Sequence, residues 1–319
     1  YANDIKSQMH GSDITFVVNR NINYTNICSF KCNFCAFSKG RGHDDLRGKP
    51  YNISEEEIIR RTKEAIDRGA TEVCLQGGIH PKFSGETYLD IVRAIRSVSD
   101  SIHIHAFSPL EIDHGRKTLN ISVKDFLIEL KNVGLNSLPG TAAEILHDDI
   151  RAIICPDKLN SNEWVEIIKA AHSVGLPTTS TMMFGHVENM SHVAHHLIKL
   201  LDIQNSTNGI TEFVPLPFVA DEAPIFRRGK SRPGPTFKET ILVHSVARIL
   251  FNGTINNIQG SWVKMGLPGL KYLLSSGIND IGGVLMNESI TRSAGASFGQ
   301  ELNLDNVLCI ADELSLIHI

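Results

Sequence analysis

One punctuation recurs along this chain and constrains its fold more than any other feature: a helix-like stretch, a glycine, then a short apolar run. Gly69 precedes Thr71 to Gln76, Gly134 precedes Leu135 to Leu138, Gly175 precedes Pro177 to Phe184, and Gly277 precedes Ile278 to Gly282. A glycine just past a helix takes the left-handed backbone that closes the last turn without a Cβ penalty, so each marks a helix giving way to a strand. Ser54 and Glu57 form a capping box ahead of a helix with Ile58, Ile59, Ala65 and Ile66 on one side. Leu89, Val92 and Ile95 share a face of the next helix, which leads to the run Ile102 to Phe107. Adding Asn21 to Ile27, Ile210 to Pro215 and Ile255 to Ile258 gives about eight strands. Such an α/β alternation predicts a closed (β/α)8 TIM-type barrel, because each parallel strand needs a crossover helix and closure removes the sheet edges. A six-strand partial barrel is the alternative.

The chain of 319 residues, 42% hydrophobic and 21% charged, reads as one domain over 1–319, with no apolar run long enough to span a bilayer. Its formal net charge is −4, and its cations are dispersed except at Arg227, Arg228, Lys230 and Arg232. Neither a nucleic acid nor a membrane is the expected partner. The basic stretch reads as a solvated loop, with a lid or anion contact as the alternative. The chain starts at Tyr1 without an initiator Met, so the expectation is a truncated N-terminus, preceded by a short helix, a targeting segment or a whole domain.

Cys28, Cys32 and Cys35 form a Cys-x3-Cys-x2-Cys run with Phe34 before the last cysteine. Three thiolates can hold three irons of a 4Fe-4S cube and leave the fourth open to a small molecule. A structural zinc site is the competing reading, but zinc normally takes four protein ligands, and no second Cys pair exists to supply them. Completion of a zinc set by His43, and a chance grouping of structural thiols, stay open at this point. Cys74, Cys155 and Cys309 stand alone and fit buried hydrophobes. Free thiols without disulfide spacing point to a reducing compartment, the cytoplasm, with an organelle as the alternative.

The heptad lies on the loop after the first expected strand and resembles that of the radical S-adenosylmethionine (SAM) superfamily. Other segments resemble the tyrosine-using subunit of FO synthase, CofH: Asn19 to Thr25, Cys35 to Gly40, Gln76 to Pro81, His105 to Glu111 and Leu138 to Glu144. The likeness continues through Phe184 to Glu188, Thr211 to Val219, Gln259 to Lys264 and Gly282 to Gly295, and so runs from Thr15 to Gln300. The resemblance implies a radical SAM transferase with a 4Fe-4S cluster and SAM as cofactors. Its substrates would be L-tyrosine and 5-amino-6-(D-ribitylamino)uracil. Cleavage of the tyrosine Cα–Cβ bond would move a 4-hydroxybenzyl group to the uracil on the way to the deazaflavin FO, the coenzyme F420 precursor. It also implies a low-potential electron donor, and a second radical enzyme as partner subunit or fused domain.

By the same resemblance Cys28, Cys32 and Cys35 are the cluster ligands and Phe34 packs beside the cluster and the adenine, against an ordinary core aromatic. Gln76, Gly77 and Gly78 suit a loop meeting the methionine amino group, since glycines allow close backbone approach. Glu144 is a candidate SAM contact, against a carboxylate favoured by a helix N-terminus. His103 and His105 share one strand face by the two-residue period, facing either substrate or the helical layer. Ser108, His105, His186 and Arg292 are candidate substrate contacts, with Lys264 a further cation for a tyrosine carboxylate or the uracil oxygens. Trp164 and Trp262 read as packing residues, Trp262 being the one nearer a cavity. The rival readings are a menaquinone-pathway radical SAM enzyme (aminofutalosine or cyclic dehypoxanthine futalosine synthase), a noncatalytic iron–sulfur carrier, and a zinc-stabilised binding module.

Overall fold

The computed structural model describes residues 1–39 and 49–318. His43, named above as a possible zinc ligand, and Gly40 lie outside the described residues.

Strand formation follows the alternation of the sequence. Strands β1 (Asp13–Val17), β2 (Asn19–Asn23), β3 (Glu72–Gln76), β4 (His103–Ala106), β5 (Thr178–Phe184), β6 (Ile210–Pro217), β7 (Asn257–Ile258), β8 (Asp280–Gly283) and β9 (Ile317–His318) pair in parallel throughout. In β2, β3 and β4 the apolar positions Ile22, Val73, Leu75 and Ile104 are wholly buried against the helices Glu55–Asp67 and Gly85–Arg96, while the alternate positions carry polar groups. Register sets Asn19, Glu72 and His103 in one row across this sheet and Asn21, Cys74 and His105 in the next.

The expected closed (β/α)8 barrel is not what forms, and neither is the six-strand partial barrel. Among the described residues the strands make three separate three-stranded sheets, in the orders β8-β1-β9, β2-β3-β4 and β5-β6-β7. The seams have local causes. Leu135 to Leu138, expected as a strand, makes only the single bridges His105 to Ser137 and Leu138 to Thr178. Pro139 then removes a ladder donor, and the Asn136 side-chain Oδ1 accepts from the Ile104 N–H in place of a backbone partner, at 2.8 Å. Strand β7 is two residues long and meets β8 through one bridge, Gln259 to Asp280. Strand β1, missed in the sequence, takes β9 as its second neighbour instead of β2.

The glycine punctuation holds in the backbone: Gly69, Gly134, Gly175 and Gly277 all lie at positive φ, between 74° and 115°. Two apolar cores result. One joins the β2-β3-β4 sheet to the helices Gly85–Arg96, Pro109–Leu119 and Val123–Asn132; the other joins β5 and β6 to Met190–Thr207 and Phe237–Leu250. No described helix is long and apolar enough to cross a membrane.

At the seam beside β5, a Cβ on Gly140 would sit 2.1 Å from the Thr179 carbonyl oxygen and 2.7 Å from the Ser180 Cα, both rigid backbone. Gly140→Ala is therefore expected to destabilise the chain by about 1–3 kcal/mol, read as a lowered urea midpoint. An unchanged midpoint would show that the seam is slack.

Candidate active site

The segment after β2 folds back on itself. Ile27 bridges Lys39, the Cys28 N–H donates to the Lys39 carbonyl at 3.2 Å, and the Cys35 N–H donates to the Cys32 carbonyl at 3.2 Å. Both flanks are anchored: the Asn33 N–H donates to the Ile154 carbonyl at 2.8 Å, and the Ile225 N–H donates to the Asn33 carbonyl at 2.7 Å. The basic stretch lies beside this anchor, with Arg227 ion-paired to Glu222 at 3.1 Å and Arg228 donating to the Asn33 side chain at 3.3 Å. Cys28, Cys32 and Cys35 all line a cavity of about 710 Å³ that is walled by all three sheets.

A single buried carboxylate ties the loops around the thiols. Glu111, in the first turn of the helix Pro109–Leu119, accepts from the Tyr24 hydroxyl, the Gly77 N–H at 3.2 Å, and the Ser108 N–H (2.7 Å) and hydroxyl. Tyr24 precedes the cysteine loop, Gly77 follows β3 and Ser108 follows β4, so one side chain sets three loops. Burial raises the Glu111 carboxyl above its ordinary range, against the pull of these donors. Ser108 lines the cavity as the N-cap of its helix, its hydroxyl engaged with Glu111. Close approach needs the glycines: a Cβ on Gly77 would lie 2.3 Å from the Tyr24 ring, and one on Gly78 would lie 2.3 Å from the Ile27 carbonyl oxygen. Gln76, Gly77 and Gly78 all line the cavity.

Opposite, Glu144 adopts a left-handed backbone (φ 47°) in a loop pinned by the Arg151 guanidinium, which donates to the Ala142, Ala143 and Leu159 carbonyls. The next helix starts only at Asp148, so Glu144 is no helix-terminus carboxylate. It pairs with Lys158 at 2.6 Å, and the Lys158 ammonium stands 5.2 Å from the centroid of the Phe34 ring. Burial works against the Lys158 charge, but Cys32, Glu144 and Cys155 outweigh it and hold the ammonium above its ordinary range. Lys264 lines the same cavity with no side-chain hydrogen bond or ion pair among the described residues. Burial holds it down to about 8, against the pull of Glu288 and Glu144.

His103 and His105 both line the cavity, and the Ser137 hydroxyl lies 2.7 Å from a ring nitrogen of each. Burial pushes His105 down to about 4, so it is neutral at ordinary pH. Together with Glu72 they bring ligand atoms within 4.8 Å of one another. His186 and Arg292 stand off the cavity wall. His186 is wholly buried, its Nδ1 accepting from the Val187 N–H at 2.8 Å and lying 3.0 Å from Glu188, while Arg292 is exposed and donates to Gln300. Trp262 lines the cavity and donates to the Gly283 carbonyl at 2.9 Å, whereas Trp164 is buried behind the wall and donates to the Thr141 carbonyl at 3.0 Å. Cys74 is on the cavity wall and Cys155 is buried, but Cys309 is exposed, unlike its expected burial. Sequence reasoning gave no role to Glu111, Lys158, Glu212 or Asp280; the Ser108-x-x-Glu111 spacing was the one available signal for the first.

The donor set fits a thiolate-ligated cluster. The three thiols are free, the Ile79 N–H points at the Cys28 sulfur at 3.3 Å, and the Phe37 and Ser38 N–H groups serve Cys35. Burial raises the Cys32 and Cys35 thiols, so a metal would be what draws off their protons.

The Radical SAM superfamily signature matches residues 22–200, and the chain superposes on methylornithine synthase (PylB) with a TM-score of 0.76 at 15% identity, covering 100% of this chain and 87% of that one. The FeFe-hydrogenase maturase HydG from Carboxydothermus hydrogenoformans superposes at 0.72 with 14% identity, covering 99% of this chain and 70% of that one. This chain is an α/β radical SAM enzyme. The CofH/MqnC C-terminal region signature follows over residues 207–306. The 5-amino-6-(D-ribitylamino)uracil–L-tyrosine 4-hydroxyphenyl transferase of Methanothermobacter thermautotrophicus is 45% identical over 316 residues, 99% of this chain and 85% of that protein. The FO synthase of Mycobacterium leprae is 46% identical over 311 residues, 98% of this chain but only 36% of that longer protein. The chain therefore belongs, within the radical SAM superfamily, to the CofH/FO synthase family.

Replacing Glu111 by Gln keeps the shape of the hub but turns an amide NH2 toward groups that are themselves donors. Glu111→Gln is expected to cost about 1–3 kcal/mol of stability and to lower the iron retained after reconstitution. Wild-type stability together with full iron content would remove Glu111 from its organising role.

Proposed function

We propose that the chain transfers the 4-hydroxybenzyl group of L-tyrosine to 5-amino-6-(D-ribitylamino)uracil, breaking the tyrosine Cα–Cβ bond and releasing the remainder as 2-iminoacetate. The observation that carries the reading is the likeness to the archaeal transferase across 99% of this chain and 85% of that protein. The site supports it with three thiols, glycine loops and an unengaged cation on one cavity. Cys28, Cys32 and Cys35 would hold a 4Fe-4S cluster, with Phe34 beside it and Gln76, Gly77, Gly78 and Glu144 on the SAM side. When bound, the reduced cluster and SAM supply a 5′-deoxyadenosyl radical.

The chain's own part is positioning and exclusion of water. Glu111 fixes the loops, Lys158 balances negative charge near Cys32, and Lys264 meets the tyrosine carboxylate. Ser108 and His105 lie within the substrate region; His186 and Arg292 would act through the loops that carry them. A low-potential donor would reduce the cluster, and a partner subunit or fused domain would complete the deazaflavin, as the length of the FO synthases suggests.

Anaerobic turnover of reconstituted protein with dithionite, SAM, L-tyrosine and the diaminouracil tests the reading by mass spectrometry. Both 5′-deoxyadenosine and the hydroxybenzyl adduct are expected, and both disappear in Cys32→Ala. Deoxyadenosine without adduct would move the substrate assignment to the menaquinone reactions. Absence of both products from fully clustered protein would overturn the reading.

Lys264 gives a pH prediction. An amine held down to about 8 is charged below that pH and neutral above it. The KM for tyrosine is expected to rise as pH climbs through this value, and Lys264→Arg, charged throughout, should flatten the rise. An identical profile in both proteins would rule out Lys264 as the carboxylate partner.

A further inference from the structure

Most of a parallel α/β core is filled by branched apolar side chains, yet the deep end of this cavity is polar. Glu72 lies four residues before Gln76 on β3, so it sits ~13 Å below the glycine loop. Asn19 donates to Glu72 at 2.9 Å, and the His103 Nε2 lies 4.0 Å from the Glu72 carboxylate. From the other two sheets, Asp280 accepts from the Thr15 hydroxyl and from the Gly282 N–H at 2.6 Å, and Gln259 donates to Glu212 at 3.3 Å. Glu212 and Asp280 are hydrogen-bonded to each other, and Glu212 senses the Glu72 charge. All of these side chains except Gly282's missing one face the cavity surface. Above them the Asn21 Oδ1 is a buried acceptor without a partner among the described residues.

Desolvating so many carboxyl, amide and imidazole groups is costly unless a ligand or each other satisfies them. Their chemistry selects the ligand. Burial and then the adjacent Asp280 carboxyl push Glu212 well above the carboxylate range, which favours its hydroxyl-bearing form, and burial keeps His105 neutral. The floor's carboxyls leave no positive charge for a phosphate, and an aromatic ring would strand its donors and acceptors. A chain of hydroxyls suits it, because each hydroxyl both donates and accepts.

We infer that this floor is a polyol subsite: Glu72, Glu212, Gln259 and Asp280 bind the ribityl chain of the diaminouracil, with the uracil ring directed up toward the cysteine loop. The inference rests on the transferase reading for the identity of its ligand. In this orientation the reacting ring faces the tyrosine and SAM region, and the tail is anchored from all three sheets, which sets the depth of the ring. A site built to bond hydroxyls discriminates strongly against an analogue lacking them, since its own polar groups are then left unmet.

The test is equilibrium binding to the reconstituted holoenzyme, with 5-amino-6-(D-ribitylamino)uracil and with 5,6-diaminouracil, which lacks the ribityl chain. Wild-type protein is expected to prefer the ribityl ligand by at least about a hundredfold. Glu212→Gln should weaken the ribityl ligand by about tenfold or more and leave the shorter one little changed, narrowing that ratio. Because the wild-type comparison needs no variant, poor folding of Glu212→Gln leaves the test intact; Gln259→Leu supplies a second variant with the same expected direction. Equal binding of the two ligands, or binding of neither, overturns the subsite. A strong ribityl preference in protein that makes no adduct from tyrosine would keep the subsite while overturning the transferase reading, so the two failures are distinct.

Discussion

The organisation of the site depends on one buried carboxylate meeting donors from three loops. Glu111 comes from the first turn of a helix, where the backbone N–H groups already favour negative charge. Its position is fixed by the helix, and the Tyr24 hydroxyl, Gly77 N–H and Ser108 groups are fixed by it. In a closed barrel, continuous hydrogen bonding would share that task among the strands. Here the sheets are separate, and loop-to-loop ties hold the reacting end together. The glycines follow from the same constraint: with Tyr24 and Ile27 drawn in close, positions 77 and 78 have no room for a Cβ.

The cavity is electrically divided. At the cysteine end, the partly buried Glu144–Lys158 pair and Lys264 carry charge where thiolates and a substrate carboxylate would sit. Toward the floor, burial works against charge: it holds His105 unprotonated and pushes the Glu212 and Asp280 carboxyls above their ordinary range. Low-dielectric surroundings strengthen the remaining charges at one end and make unmatched polar groups expensive at the other. Such a gradient can orient a ligand with an ionic head and a separate ligand with a hydroxylated tail, without a moving part.

Much of this was legible in the sequence for physical reasons that the structure makes explicit. The four punctuating glycines occupy left-handed backbone because only that conformation closes the preceding helix, and the heptad lies on the loop after β2. The strand expected at Leu135 to Leu138 failed because apolar content alone does not supply a ladder, and Asn136 and Pro139 divert its bonds. Strand β1 is only five residues long, too short a run to stand out by itself. His103 and His105 could be placed on a common face but not on a particular side, since that depends on packing across the sheet. Glu72, Glu212 and Asp280 resemble surface charges in sequence; only their register beside Asn19, Asn257 and Thr15 turns them into the floor of a cavity.

The central claim is that the benzylic carbon of tyrosine ends up on the uracil. The most direct test follows that carbon, using L-tyrosine labelled with ¹³C at Cβ in anaerobic single turnover with SAM and the ribitylated diaminouracil, and reading products by mass spectrometry. The account predicts the label in the uracil adduct, with the two-carbon remnant unlabelled. Label appearing in free 4-methylphenol, or staying in intact tyrosine while 5′-deoxyadenosine accumulates, would contradict it.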